Sequence, residues 1–217
     1  ACRIGSEAYA ALPNQLSAGM NEHDVARTFR AELTRQGADA IPFMAVTAGA
    51  GGYDQIIVGP NDRNLSPGDV MFIDLGATYD GYFCDFDRNF SCGDVDDETK
   101  ATQDIVWRAT EAGIAAARPG ATPADLAAAM VSVMADAGAT GGNVGRLGHG
   151  LGLQLTEPPS NMAGDETVLE PGMVMTIEPG MEYGDGKMLV HEENVVITED
   201  GCRLLTARAP RDMWRID

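Results

Sequence analysis

The sequence predicts an α+β domain assembled from two related halves, and three observations point to it. A helix-period stretch occurs twice: LSAGMNEHDVARTFRAELTRQGAD from Leu16 and ARPGATPADLAAAMVSVMADAGAT near position 117, with Gly19/Gly120, Asp24/Asp125 and Gly37/Gly138 all matched at an offset of 101. A turn-then-strand unit also occurs twice, LSPGDVMFIDLG (Leu65 to Gly76) and LEPGMVMTIEPG (Leu169 to Gly180), at an offset of 104. Each unit is followed by an Asp-Gly pair, a strong signal for a hairpin turn. Two matches in the same order argue for duplication. They divide a single domain over 1–217 into halves of about 14–100 and 101–205, facing each other across a pseudo-two-fold axis.

The elements follow in order. The opening ACRIGSEAYA reads like the middle of a helix and lacks the basic start and apolar run of a signal peptide, so an N-terminal domain of a longer protein is expected to be missing. In the first repeat Val25, Phe29 and Leu33 keep helical spacing, with Asn21 as N-cap and Gly37 as terminator. Ala45 to Gly52, AVTAGAGG, is expected to be the first half's counterpart of the loop around His149, either a substrate-side loop or simply a turn. Pro67-Gly68 then turns the chain into the apolar strand Val70-Met71-Phe72-Ile73, which ends on Asp74. Asp80-Gly81 folds it back through Tyr82-Phe83-Cys84-Asp85. In the second half Leu126, Met130 and Val133 mark a helix between Thr122 and Gly138, and Val174 to Ile177 a strand ending on Glu178. After Asp185-Gly186, one return strand is expected from Met188 to Ile197, its alternation placing Val190, Glu192 and Asn194 on one face and His191 with Glu193 on the other.

Composition excludes several classes. With 15 basic and 33 acidic residues the net charge is −18. Such a field repels nucleic acid and anionic membranes, and no apolar run approaches the ~20 residues needed to span a bilayer. Cys2, Cys84, Cys92 and Cys202 form no C-x-x-C pair. Reduced thiols and a cytoplasmic location are therefore expected.

A carboxylate closing one apolar strand is ordinarily a solvated cap, because burying it alone costs several kcal/mol. Here Asp74 and Glu178 close equivalent strands, and the hairpins return Asp85 and Glu192 beside them. His149 lies between glycines in GHGLG, where the backbone can approach a site closely. Four carboxylates and an imidazole suit two divalent cations about 3.5–4 Å apart with an activated water between them. The oxygen-rich set favours Mn2+ or Fe2+, with Co2+ or Zn2+ also suited.

These segments, IDLG, GYFCD, GHGLG, VMTIEPG and EENVVITEDG, resemble the motifs of the pita-bread metallopeptidases, the family of methionine aminopeptidases, Xaa-Pro aminopeptidases, prolidases and creatinase-like enzymes. The resemblance runs from the helix at Gly19 to the final strand. It implies a catalytic domain of two αβ halves around a curved antiparallel sheet. It also implies Asp74, Asp85, His149, Glu178 and Glu192 as metal ligands, Asp85 and Glu192 bridging both ions, Asp74 holding one and His149 with Glu178 the other. Glu178 is the implied catalytic proton shuttle. Relatives of the Xaa-Pro and creatinase type often carry a separate N-terminal domain and are commonly dimers, so a homodimer is expected of the full-length protein.

The chain also departs from the pattern. Where the family's peptidases place two substrate-facing histidines, this sequence has Ile57 and Thr156, and Val190 stands where Xaa-Pro enzymes often have an arginine. Ile57, Thr156 and Tyr53 are the expected substrate-side residues, with His191 and Tyr82 as further stand-ins. Three functions follow in order: a hydrolase of short peptides, with proline beside the cleaved bond; a small-molecule amidohydrolase or lyase of the ectoine-hydrolase or sulfonium-lyase kind; and a binding protein without catalysis.

Overall fold

The computed structural model describes residues 1–137 and 145–217. Helices α1 (Cys2–Ala11), α2 (Glu22–Gln36), α3 (Asp97–Ala116) and α4 (Pro123–Asp136) pack against two main sheets. The first sheet runs β1 (Ala40–Ala50), β2 (Asp69–Tyr79), β3 (Tyr82–Cys92), and then β11 (Trp214–Ile216). The second orders β10 (Cys202–Leu204), β9 (Glu193–Ile197), β6 (Val174–Ile177), β4 (His149–Gly150) and β5 (Glu157–Ser160). A separate hairpin pairs β7 (Gly180–Tyr183) with β8 (Lys187–Val190). None of the described helices is long and apolar enough to cross a membrane, and all four cysteines are free.

Local chemistry explains the boundaries. Asn21 accepts a hydrogen bond from the His23 amide at the start of α2, and Gly37 ends that helix in the left-handed conformation. Thr122 and Asp125 form a reciprocal capping box at the start of α4, with Pro123 at the first turn. Gly138, the terminator expected for α4, lies outside the described residues. Between β2 and β3, Asp80 (φ 52°) and Gly81 (φ 80°) are both left-handed, the geometry a two-residue hairpin needs to match strand twist.

Alternation along β2 sorts its side chains between two cores. Met71, Ile73, Leu75 and Ala77 join Tyr9, Phe29, Phe86 and Phe90 beneath α1 and α2. Val70 and Phe72 face the other way, into the core that α3 and α4 share with Met175, Ile177 and Val195 of the second sheet. The continuation of that second face, past Phe72, is Asp74. The acidic end of β2 is thereby aimed at the opposite half of the chain.

Two expectations need correction. Of Ala45 to Gly52 only Gly51–Gly52 form a turn: Ala40–Ala50 is a strand paired along β2, with Ala45 opposite Asp74 and Ala50 opposite Asp69. The return strand from Met188 to Ile197 is not continuous either. It breaks at His191–Glu192, because β8 pairs with β7 whereas β9 pairs with β6.

Candidate metal centre

The β2–β3 register sets the first part of the site. Asp74 lies opposite Asp87 and Gly76 opposite Asp85, so Asp74, Asp85 and Asp87 rise from one face of the hairpin. Beneath it, the Tyr9 hydroxyl donates to the Ile73 and Phe86 carbonyls, 2.9 and 3.0 Å away. Across the interface, Asn194 of β9 clamps the backbone of Asp85. Its Oδ1 accepts from the Asp85 amide at 3.1 Å and its Nδ2 donates to the Asp85 carbonyl.

His149 enters from the second sheet. Gly148 has φ 121°, and a Cβ there would meet the Thr176 carbonyl oxygen at 2.2 Å, so only glycine brings this loop so close to β6. The His149 amide donates to Thr176 Oγ1 at 3.0 Å, and Nδ1 lies 2.8 Å from the Gly150 carbonyl. That carbonyl can only accept, so Nδ1 carries the proton and Nε2 keeps its lone pair toward the site. Nε2 sits 3.4 Å from Asp85 Oδ2. Asp85, His149 and Glu192 offer ligand atoms that all lie within 4.8 Å of one another.

Glu192 occupies the break between β8 and β9. Arg88 holds it from behind: Nη1 donates to the Glu192 and Asp87 carbonyls at 2.7 and 2.6 Å, and Nη2 to Glu193 Oε2 at 3.0 Å and the Ala207 carbonyl at 2.9 Å. Arg88 therefore pairs with Glu193, on the face away from the site, and not with a carboxylate of the centre. Glu178 follows directly after β6, its amide bonded to the Leu147 carbonyl at 3.0 Å.

Crowded acids in a dry pocket resist ionisation. Burial pushes Asp74 and Glu192 well above the usual carboxylate range, and their acidic neighbours push them further. Glu178 is raised to about 7 by burial and then by Asp85, with His149 and Arg146 opposing. Asp85 is raised by burial, partly offset by its contact with His149. At His149, burial lowers the pKa, but Asp85 and the Gly150 carbonyl outweigh it and the balance is upward. Asp74 Oδ1 and Glu192 Oε1 are buried without any hydrogen-bond partner. Buried oxygens left bare beside an imidazole lone pair fit a divalent cation, whose charge removes both the repulsion and the missing contacts.

A cleft of about 550 Å3 opens onto this cluster, lined by Asp74, Asp85, His149 and Glu178 at its floor and by Phe43, Ile57, Leu155, Thr156 and Arg146 nearer the mouth. The five expected ligands thus converge, and Ile57 and Thr156 lie on the same cleft. Ile57 is 84% exposed at the rim, and Thr156 Oγ1 accepts from Arg146 Nη2 at 3.3 Å.

The other expected substrate residues lie elsewhere. Tyr53 is 2% exposed, packed on Phe72, its hydroxyl taken up by Asn89 and the Val190 amide. It is a core residue bracing β8 and is not among the residues lining the cleft. His191 is buried against Thr110 and Arg208, and burial lowers its pKa to about 3. Tyr82 lines a different surface depression with Ala1 and Leu151. Two residues of the site went unforeseen: Arg146, and Asp87, which the i, i+2 spacing from Asp85 could have placed on the same face.

Comparison with known proteins gives consistent matches. The model of metallopeptidase family M24 matches residues 1–199. A protein of Mycobacterium tuberculosis described as a probable dipeptidase PepE is 37% identical over 195 residues, 89% of this chain and 52% of that protein. The Xaa-Pro dipeptidase of Pyrococcus furiosus is 32% identical over 207 residues, 95% of this chain and 59% of that one. The crystal structure of dipeptidase PepE from Mycobacterium ulcerans superposes with a TM-score of 0.90 at 34% identity, over 99% of this chain and 59% of the other. The chain thus spans between half and three-fifths of these relatives.

Proposed function

Since the chain belongs to metallopeptidase family M24 and has the pita-bread fold of its solved relatives, we propose that it is the catalytic portion of a dipeptidase acting on short peptides with proline after the cleaved bond. In this reading Asp74, Asp85, His149, Glu178 and Glu192 hold two divalent cations, with Mn2+ preferred and Fe2+, Co2+ or Zn2+ accepted. Such a pair, when bound, polarises a carbonyl and supplies hydroxide at neutral pH.

The chain's own groups do the rest. Glu178, on the cleft beside the centre, is the group that takes up a proton and returns it to the leaving amine. Arg146 is the cation lining the cleft, close enough to lower Asp85 and Glu178. It stands ready to pair with the free carboxylate of a dipeptide. Phe43, Leu155 and Ile57 offer an apolar wall for a proline ring. The cleft volume suits a ligand of that size.

One observation carries the reading: bare buried carboxylate oxygens and an imidazole lone pair lie together at and just behind the wall of an open cleft. A second reading, a small-molecule amidohydrolase or lyase on the same centre, is favoured by Ile57 and Thr156, which line the cleft without an ionisable group.

The test is hydrolysis of a panel of Xaa-Pro dipeptides, dipeptides without proline and ectoine-like amides, by the chain loaded with Mn2+ and after chelation. Metal-dependent cleavage of Xaa-Pro dipeptides is the expected result. Turnover of the amides alone transfers the assignment to the second reading, and turnover of dipeptides that survives chelation refutes the metal mechanism.

A further inference from the structure

Asp87 is 1% exposed, and neither of its carboxylate oxygens has a hydrogen-bond partner. It faces Asp74 directly across the β2–β3 pair, an arrangement in which like charges repel. Strand alternation puts the cation next in sequence on the other side: the Arg88 guanidinium lies over the Phe86 ring at 4.7 Å and is engaged with Glu193 and with backbone carbonyls, including that of Asp87 itself. A buried acid with bare oxygens, facing another acid, is among the least favourable arrangements available to a folded chain.

The cleft lining separates the acids by depth. Asp74, Asp85, His149 and Glu178 line the cleft, whereas Glu192 and Asp87 do not. The bare oxygens of Glu192 and Asp87 therefore lie behind the cleft lining, and the bare Oδ1 of Asp74, the residue opposite Asp87, belongs to the lining itself. One occupant would relieve all three at once, a hard cation with oxygen ligands.

We propose that Asp87 is a sixth protein ligand of the centre, binding the deeper cation, the one that Asp74 holds. This rests on the two-cation reading above. Four acids and a neutral imidazole would balance two divalent ions, and Asp87 adds a fifth negative charge on the deep side. The deep position then binds its ion more tightly than the outer one and favours oxygen-seeking ions such as Mn2+ over Zn2+.

Calorimetric titration of Mn2+ into the metal-free chain, with melting temperature followed in parallel, tests this without reference to activity. The wild type is expected to bind two ions in two resolved steps. D87N is isosteric and is expected to weaken the tighter step at least tenfold, leave the weaker step unchanged, and melt at a higher temperature than wild type when metal-free. D87T is expected to give the same pattern. A D87N protein that binds both ions with wild-type affinities overturns the proposal and leaves the two-cation reading standing. A D87N protein that melts lower than wild type without metal also counts against it, since it would make Asp87 a structural residue. If the wild type itself binds no Mn2+, the two-cation reading fails first.

Discussion

Asp85 has two attachments that make it the most consequential single side chain: its backbone is clamped by Asn194, and its Oδ2 faces His149 Nε2. D85A is expected to lose metal binding and peptide hydrolysis together, as read by metal content after dialysis and by turnover. Retention of activity in a metal-free D85A protein would refute the site. Glu178 acts differently if it moves protons. E178Q is expected to lower kcat by about 10²–10⁴, read by turnover at saturating substrate with metal content followed in parallel. The residues that converge were legible wherever chemistry followed local pattern, as with acids ending apolar strands, acids just past Asp-Gly turns, and a histidine between glycines. Asp87 was hidden because a second acid near a turn reads as solvated charge until the register shows it opposite Asp74. Tyr53 misled for the converse reason. Its partners, Asn89 and Val190, are distant in sequence, so nothing local marks its hydroxyl as already engaged.

Among the elements, the β2–β3 hairpin bears Asp74, Asp85 and Asp87, and its turn is a place to test the architecture apart from the chemistry. Asp80 and Gly81 have positive φ. G81V forces a branched residue into that region at a cost of about 1–2 kcal/mol, which for a chain of this size is a fall of roughly 2–8 °C in melting temperature. Thermal melting should show that loss, with metal stoichiometry preserved. An unchanged melting temperature would mean that the turn does not set the register. Asn194, which ties β9 to β3, should matter more to geometry: N194A removes two buried hydrogen bonds, at about 1–3 kcal/mol, and is expected to weaken metal binding as well. Elements announced by turns, caps and alternation were readable from sequence. The longest helix, α3, was not, because Thr99, Thr102, Gln103 and Thr110 on its buried side obscure the apolar period. The break at His191–Glu192 was equally invisible, since apolar alternation continues across it and only the partner strands change.

For the whole molecule, the two halves bring like charges together at the centre, and this sets its response to pH and to metal. Glu178 has a folded pKa of about 7 against an ordinary 4.5, and Asp74 and Glu192 shift in the same direction. A carboxyl group raised on folding binds more protons in the native state. Its stabilising contribution is complete below about 4.5 and is lost as pH rises through 7. The metal-free protein should therefore melt lower at pH 8 than at pH 5.5. Below that window Glu32, held down to about 2 by Arg35, acts in the opposite sense. Saturating Mn2+ should raise the melting temperature at pH 8, by the equivalent of about 2.7 kcal/mol at one hundred times the dissociation constant.

Anomalous diffraction from crystals grown with Mn2+ would show at once whether the two halves pool their acids around a cation pair. Two peaks are expected, roughly 3.5–4 Å apart, enclosed by Asp74, Asp85, His149, Glu178 and Glu192. A centre empty of ions at saturating Mn2+, with these carboxyl groups instead sharing protons among themselves, would contradict it.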